Sequence, residues 1–164
     1  AGTAGADPAV PEPQGYHGEP YLSPVPDTLS GATVMDAAAA ARAQAEGAVL
    51  IDVLPATRRP AGLPEGTLWR APVHETLPGA VWLADTGYDR LAPEVERGFV
   101  AALARLSHGD RGAALVFFCK ADCWMSWNAA RRAIAMGYTS VAWYPEGTDG
   151  WSEAGQPMQP HEPQ

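Results

Sequence analysis

Hydrophobic residues are concentrated in short runs along the chain. Residues 48–53, 113–118 and 139–144 are mostly apolar, and a shorter apolar run covers residues 81–83. Runs of this length without polar alternation are typical of strands that are buried on both faces of a parallel sheet. The pattern therefore predicts a sheet whose strands come from well-separated parts of the chain.

The segments between these runs have the spacing of apolar residues that is typical of helices. Residues 36–46 form an Ala-rich stretch that ends at Gly47, and residues 93–107 place their large apolar side chains on one face. A third helix is predicted from Trp124 or Ser126 to Met136. Strand and helix thus alternate, which predicts an α/β fold, a mainly parallel central sheet with helices on both faces.

Proline-rich segments mark the predicted boundaries. We expect a proline-rich N-terminal segment at residues 1–27, a single domain at residues 28–158 and a short tail at residues 159–164. The N-terminal segment is predicted to be extended, and either wraps the domain or stays mobile. The residues expected to contact the domain are Tyr16, Tyr21 and Leu22.

Residues 54–77 are rich in proline, glycine and arginine and show no clear period. A loop of this length in a compact domain is usually functional or mobile. We expect it to cover the functional site with one of four side chains, each of which is more often solvated or packed than catalytic. These are Arg58, Arg59, Trp69 and His74.

Charge and composition narrow the possible partners. The 164 residues carry a formal net charge of −8, which disfavours nucleic acid and anionic membranes as partners. No apolar run has the roughly 20 residues needed to span a bilayer. The small residues at positions 1–6 resemble those beside a signal-peptide cleavage site, so we expect an exported protein whose signal peptide has been removed.

The strongest candidate chemistry lies in the Cys-x3-Cys-Trp loop. Cys119 ends the second long apolar run, and a helix is predicted to begin a few residues later. Loop N–H groups and the positive end of the helix dipole would lower the pKa of a thiol there. Cys123 lies four residues on, which favours a redox or nucleophilic pair. A structural disulfide remains an alternative, although the small ring that it closes stabilises little.

The other loop residues support this site in different ways. Asp122 either accepts loop N–H groups or caps the helix, and its charge would raise the pKa of Cys119. Trp124 and Met125 form either part of the core or an aromatic and thioether rim around the site. The complete predicted active-site loop comprises the two cysteines with Lys120, Ala121, Asp122, Trp124, Met125 and Ser126.

Several segments in order resemble the signature of rhodanese domains. They are residues 50–53 (LIDV), 77–80 (LPGA), 116–119 (VFFC), 137–141 (GYTSV), 147–151 (GTDGW) and 154–157 (AGQP). More narrowly, residues 118–130 and 141–151 are similar to the PQQ-dependent catabolism-associated CXXCW motif proteins, which are exported rhodanese-like proteins of bacteria.

This resemblance implies that Cys119 is a persulfide-forming nucleophile. It also implies a periplasmic location and a link to PQQ-dependent alcohol or methanol oxidation, with an alcohol dehydrogenase or its cytochrome as a possible partner. The chain has Trp124 and Met125 where active rhodaneses often have an arginine, and it has Cys123 in addition. These differences favour thiol–disulfide chemistry on a small sulfur or thiol substrate.

Two alternatives remain from the sequence. Cys119, Cys123 and Met125 are soft ligands that suit Cu(I), so the chain is alternatively a copper carrier. The other alternative is a non-catalytic interaction module, in which the 119–123 disulfide is permanent and a Trp-rich rim docks onto the dehydrogenase system.

Overall fold

The computed structural model describes residues 10–162. The small residues at positions 1–6, on which the expectation of export rests, lie outside the described residues. None of the helices within the described part has the length and apolar character that a membrane crossing requires.

Helices and strands alternate along the described chain as the hydrophobic pattern predicts. In chain order the elements are β1 (Thr33–Val34), α1 (Ala37–Ala45), β2 (Val49–Asp52), β3 (His74–Thr76), β4 (Val81–Trp82), α2 (Pro93–Leu106), β5 (Ala114–Phe118), α3 (Trp124–Ala135), β6 (Ser140–Tyr144), α4 (Gly147–Glu153) and β7 (Gln159–His161). The α1 helix begins where Asp36 accepts a hydrogen bond from the Ala39 N–H, and Pro93 occupies the first turn of α2.

The central sheet has five parallel strands in the order β1-β6-β5-β2-β4. This confirms the predicted fold class. The β5 strand lies in the middle, and the chain crosses from one side of it to the other. In such sheets, ligands bind beyond the carboxyl ends of the strands near this point. The end of β5, where Cys119 follows, is therefore the position that the topology favours for a site.

Two apolar clusters cover the two faces of the sheet. The larger one packs α2 and α3 against the sheet through residues such as Phe99, Phe117 and Trp127. The smaller one packs α1 and α4 through Ala40, Trp151 and their neighbours. Helices on both faces bury most of β2, β5 and β6, which explains why these strand sequences are almost continuously apolar.

Three short strands have no counterpart in the sequence-based prediction. The β1 strand pairs with β6 at the sheet edge, and β3 forms a separate antiparallel pair with β7. The β7 strand belongs to the predicted tail, and β3 belongs to the predicted loop at residues 54–77. Strands of two or three residues are too short to show a period, so pairing between distant segments defines them.

The described part of the N-terminal segment, residues 10–27, lies against the domain. Val10, Tyr21 and Val25 pack on the larger apolar cluster, to which Leu29 also belongs. The predicted contact through Leu22 is made by its backbone, which forms an antiparallel bridge with Cys123. The Leu22 side chain is 61% exposed.

Candidate active site

Cys119 and Cys123 form a disulfide within one loop. Cys119 follows the last residue of β5, and Cys123 is the residue that precedes the first turn of α3. Both cysteines are buried, with exposed fractions of 0% and 1%. The structure therefore brings together the two residues that the sequence singles out, and joins them covalently.

Two N–H groups of the loop, which the sequence predicts to stabilise a free thiolate, bond to other acceptors. The Ala121 N–H donates to Asp149 Oδ2 over 3.1 Å, and the Trp124 N–H donates to the Tyr21 carbonyl over 2.8 Å. Cys119 Sγ lies 3.5 Å from the Cys123 carbonyl oxygen.

Asp122 does not act as predicted. It is exposed, its φ of +49° places it in the left-handed region, and no side chain caps the first turn of α3. The carboxylate that orders the loop comes instead from Asp149 in α4. Asp149 lies in the GTDGW segment, so the rhodanese-like signature was the only sequence signal that marked it. Lys120 forms no ion pair among the described residues.

The α4 helix fixes the start of the loop. The Thr148 N–H donates to the Cys119 carbonyl over 3.0 Å. A Cβ atom on Gly147 would lie 2.4 Å from the same carbonyl oxygen, and Gly147 also has a φ of +54°. Only glycine permits both this backbone conformation and this close approach. The GTDGW segment thus holds the backbone of Cys119 in place.

The aromatic and thioether rim considered from the sequence is not on the surface. Trp124, Met125 and Trp127 are at most 2% exposed and belong to the larger apolar cluster. Ser126 is also buried and accepts a hydrogen bond from Trp143 Nε1 over 2.9 Å. These residues therefore form the wall behind the loop, and the alternative in which they pack in the core is the one observed.

The N-terminal segment covers the cysteine loop from outside. His17 stacks on Trp124 with ring centroids 4.0 Å apart, and both the N–H and the carbonyl of His17 bond to the side chain of Asn128. Asn128 also donates to the Gly87 carbonyl over 3.0 Å. Because Asn128 is completely buried, these bonds connect the segment to the inside of α3.

Two arginines of α3 hold the same segment. Arg131 donates to the carbonyls of Pro13 and Gln14, and the Arg132 guanidinium lies 4.3 Å from the centre of the Tyr16 ring. Burial lowers the pKa of Arg132 from its usual value. Neither arginine occupies the cysteine loop. Arg132 also donates to the carbonyls of Thr86, Tyr88 and Asp89, so it joins the N-terminal segment to that turn.

An open cleft of about 730 Å³ reaches the disulfide between the N-terminal segment and the end of β2. Its lining residues are Glu19, Pro20, Tyr21, Leu22, Leu54, Pro55, Tyr88 and Cys123. Cys119 is not among them. We refer to this as the Cys123 cleft, since Cys123 is the one cysteine that borders it.

Two tyrosines form one wall of the Cys123 cleft. The Tyr21 hydroxyl donates to Asp89 and the Tyr88 hydroxyl donates to Asp85 over 2.8 Å. Burial, reinforced by these carboxylates, raises the pKa of each tyrosine to about 12. The hydrogen bond from Tyr21 also lowers the pKa of Asp89. Both phenols are therefore neutral at physiological pH.

The loop at residues 54–77 does not place any of its four predicted side chains in the Cys123 cleft. Arg58 pairs with Asp85, and Arg59 donates to the Thr67 carbonyl. His74 bonds to the buried carboxylate of Asp52 over 2.5 Å. These three, with the half-buried Trp69, are not among the cleft residues, and only Leu54 and Pro55 of this loop border the cleft.

No group of three or more His, Cys, Asp or Glu side chains arranged for a metal ion occurs within residues 10–162. A Cu(I) site made of Cys119, Cys123 and Met125 is a separate case, because it includes a methionine and requires the two cysteines to be reduced. In this structure the two cysteine sulfurs are joined in the disulfide. The copper alternative stays a prediction.

A protein-family model described as the rhodanese-like domain matches residues 36–154, which is most of the chain. The chain belongs to the rhodanese-like domain family. Within this rhodanese-like domain, the cysteine at the end of β5 occupies the position that the sequence resemblance assigns to the family's nucleophile. No curated protein matches the chain significantly.

One solved structure shows the same fold. A thiosulfate sulfurtransferase from Pseudomonas aeruginosa is 18% identical, with a TM-score of 0.55, over 81% of this chain and 21% of that chain. The chain thus spans about a fifth of that relative's length. A polysulfide-sulfur transferase homodimer from Wolinella succinogenes is 19% identical, with a TM-score of 0.48, over 79% and 80% of the two chains. At these identities the likeness concerns the fold alone.

Proposed function

We propose that this rhodanese-like domain performs thiol-based sulfur transfer or thiol–disulfide chemistry, with the Cys119–Cys123 pair alternating between a disulfide and a dithiol. The observation that carries the proposal is that the family's nucleophile position is bridged to a second cysteine in the same loop. A disulfide that closes so small a ring contributes little to folding, which favours a redox role.

In the reduced state, Cys119 attacks a small sulfur donor and Cys123 resolves the product. The Cys119 thiolate bonds to the outer sulfur of the donor and displaces its leaving group, which leaves a persulfide on Cys119. The Cys123 thiolate then attacks the inner sulfur, forms the 119–123 disulfide and releases hydrosulfide. The start of α3 beside Cys119 supports a thiolate there once the bridge has opened.

The setting of this chemistry is also part of the proposal. An exported location would allow the disulfide to persist, since oxidising compartments maintain such bonds. The resemblance to the CXXCW motif proteins further suggests a periplasmic role beside PQQ-dependent alcohol oxidation. Co-purification with a PQQ-dependent alcohol dehydrogenase or its cytochrome, from cells grown on methanol, tests this part separately.

Replacing Cys123 tests the chemistry. In Cys123→Ser we expect mass spectrometry to detect a persulfide or mixed disulfide on Cys119 after exposure to thiosulfate or glutathione disulfide. The wild-type protein should instead return to the 119–123 disulfide, and Cys119→Ser, the matched control, should form no adduct at position 119. The absence of any adduct on the Cys123→Ser protein with either of these donors would contradict the proposal.

A permanent disulfide in a non-catalytic interaction module is the second candidate. The complete burial of Cys119 and the near-complete burial of Cys123 favour it. The measured reduction potential of the pair separates the two candidates. A potential below about −300 mV is typical of structural disulfides, whereas a higher potential supports exchange.

A further inference from the structure

Only one of the two bridged cysteines borders the Cys123 cleft, although both are nearly completely buried. Cys123 forms part of the lining of the Cys123 cleft, whereas Cys119 lies at the end of the central strand and does not border it. Cys119 is also completely buried. An incoming thiol must contact the sulfur that it attacks, so access decides which cysteine takes the new bond.

We propose that the oxidised protein is attacked at Cys123, by a thiol that is carried on an uncharged apolar body filling the Cys123 cleft. This rests on the proposed function, because it assigns the step that returns the disulfide to the dithiol. In this step the substrate bonds to Cys123, whereas the family resemblance implies that Cys119 is the reactive cysteine.

The cleft has the surface that an apolar body requires. Leu22, Leu54, Pro20 and Pro55 supply aliphatic surface, and Leu22 is 61% exposed in the absence of a partner. The volume of about 730 Å³ falls in the range of small-molecule and short-peptide sites. Covering the exposed Leu22 side chain gives binding free energy that a hydrophilic thiol would not gain.

The charges around the cleft disfavour an anionic thiol. Glu19 is the only charged residue among the lining residues, and the two tyrosines are hydrogen-bonded to Asp89 and Asp85. The nearby Arg58 is already paired with Asp85. A sulfonate or carboxylate on the substrate would therefore meet negative charge with no free cation from the lining residues to offset it.

The exchange is balanced without an additional oxidant. The substrate thiolate bonds to Cys123 Sγ, the Sγ–Sγ bond breaks, and the electron pair leaves on Cys119, which takes up the proton that the substrate thiol has lost. A second substrate thiolate then attacks the substrate sulfur of the mixed disulfide. The products are the oxidised substrate disulfide and Cys123, which becomes a thiol with the second proton.

The surroundings of Cys119 suit the released sulfur. A thiol formed at that position has the Cys123 carbonyl oxygen 3.5 Å away as a hydrogen-bond acceptor. The second substrate thiol completes the reduction at the mixed disulfide on Cys123, the cysteine that borders the cleft.

The experiment uses the oxidised, folded protein with two small thiols of similar basicity, neutral 2-mercaptoethanol and anionic 2-mercaptoethanesulfonate. Rapid acid quenching, alkylation of free thiols and peptide sequencing by mass spectrometry locate each group. We expect the thiol adduct on Cys123 and the alkyl group on Cys119. The neutral thiol should react about three- to tenfold faster at low salt, with the difference shrinking as salt is added.

Matched variants test the charge argument. Glu19→Gln should reduce the preference for the neutral thiol, and Glu75→Gln, an exposed carboxylate on β3 outside the cleft, should leave it unchanged. A neutral apolar peptide that contains one cysteine is compared with 2-mercaptoethanol. If the substrate is a polypeptide, the peptide should reduce the disulfide faster than 2-mercaptoethanol does.

The outcomes separate this inference from the proposed function. Rapid reduction with the adduct mainly on Cys119, or equal rates for the two small thiols, overturns the inference and leaves the redox role of the pair intact. Resistance of the disulfide to every thiol until the protein unfolds contradicts the proposed function, and the inference fails with it.

Discussion

The imidazole of His17 lies flat against the indole of Trp124, with the ring centroids 4.0 Å apart and the planes 6° apart. Trp124 directly follows Cys123, so this stack joins the N-terminal segment to the cysteine loop. The Trp124 N–H, which bonds to the Tyr21 carbonyl, makes a second connection. The cover over the disulfide is therefore attached at the residue next to it.

Removing the stack tests the strength of this attachment. His17→Ala should lower the free energy of unfolding by about 1 kcal/mol, the typical contribution of an aromatic pair. His17→Phe is the matched control, because the Nδ1 atom of His17 has no hydrogen-bond partner within residues 10–162 and a phenyl ring retains the stack. Urea denaturation measures both variants, and equal stabilities for Ala and Phe would show that the stack contributes nothing.

Asn128 provides the polar part of the same attachment. Asn128→Ala leaves the N–H and carbonyl of His17 and the carbonyl of Gly87 without their partner. Unsatisfied buried groups cost about 1–3 kcal/mol each, so we expect a loss of several kcal/mol unless the segment detaches and is hydrated. Hydrogen exchange at the His17 amide shows whether the segment stays attached or detaches, since a detached segment no longer protects this amide from exchange. Unchanged stability with unchanged protection would contradict the assignment.

Gly147 sets the position of the Cys119 carbonyl. Gly147→Ala introduces a Cβ atom 2.4 Å from that oxygen, in addition to strain at a φ of +54°, and we expect a loss of about 3 kcal/mol or more. Gly155→Ala is the control, because Gly155 has a φ of +77° but no atom within 4 Å of such a Cβ. Thermal unfolding compares them, and similar losses would mean that backbone conformation alone accounts for the effect.

The cleft tyrosines predict the response to alkaline pH. Tyr21 and Tyr88 each have a pKa of about 12, whereas an unfolded tyrosine ionises near pH 10. The stability that they contribute is fully present below about pH 10 and is lost as the pH rises towards 12, because the unfolded chain releases its protons first. Burial also raises the pKa of Tyr144, so tyrosinate absorbance should show three late-titrating groups in the wild-type protein and two in Tyr21→Phe.

At acid pH, the hydrogen bond between Tyr21 and Asp89 makes the stability depend on pH in the opposite direction. The hydrogen bond from Tyr21 lowers the pKa of Asp89, so its contribution is present above the unfolded pKa of about 4 and is lost as the pH falls through the folded value. In Tyr21→Phe the pKa of Asp89 should rise towards the ordinary value. A titration of the Asp89 carboxyl by NMR that is identical in both proteins would contradict this.

The amino-acid sequence by itself determined the three longest strands of the sheet and where along the chain the candidate site lies. Buried parallel strands must be apolar on both faces, so β2, β5 and β6 appear as continuous hydrophobic runs, and Cys119 follows one of them in the printed sequence. The order of short segments along the chain likewise indicated the rhodanese-like family. These are local signals, each contained within a few residues.

Only the tertiary structure decided how the cysteines are covered and which of them meets the cleft. His17 and Asn128 bond across 111 positions, and Ala121 and Asp149 across 28. The burial of Trp124 and the exposure of Leu22 depend on the same long-range packing. Periodicity and spacing describe neighbours along the chain, whereas contacts between distant segments depend on how the whole domain closes, and these contacts placed Cys123 at the opening.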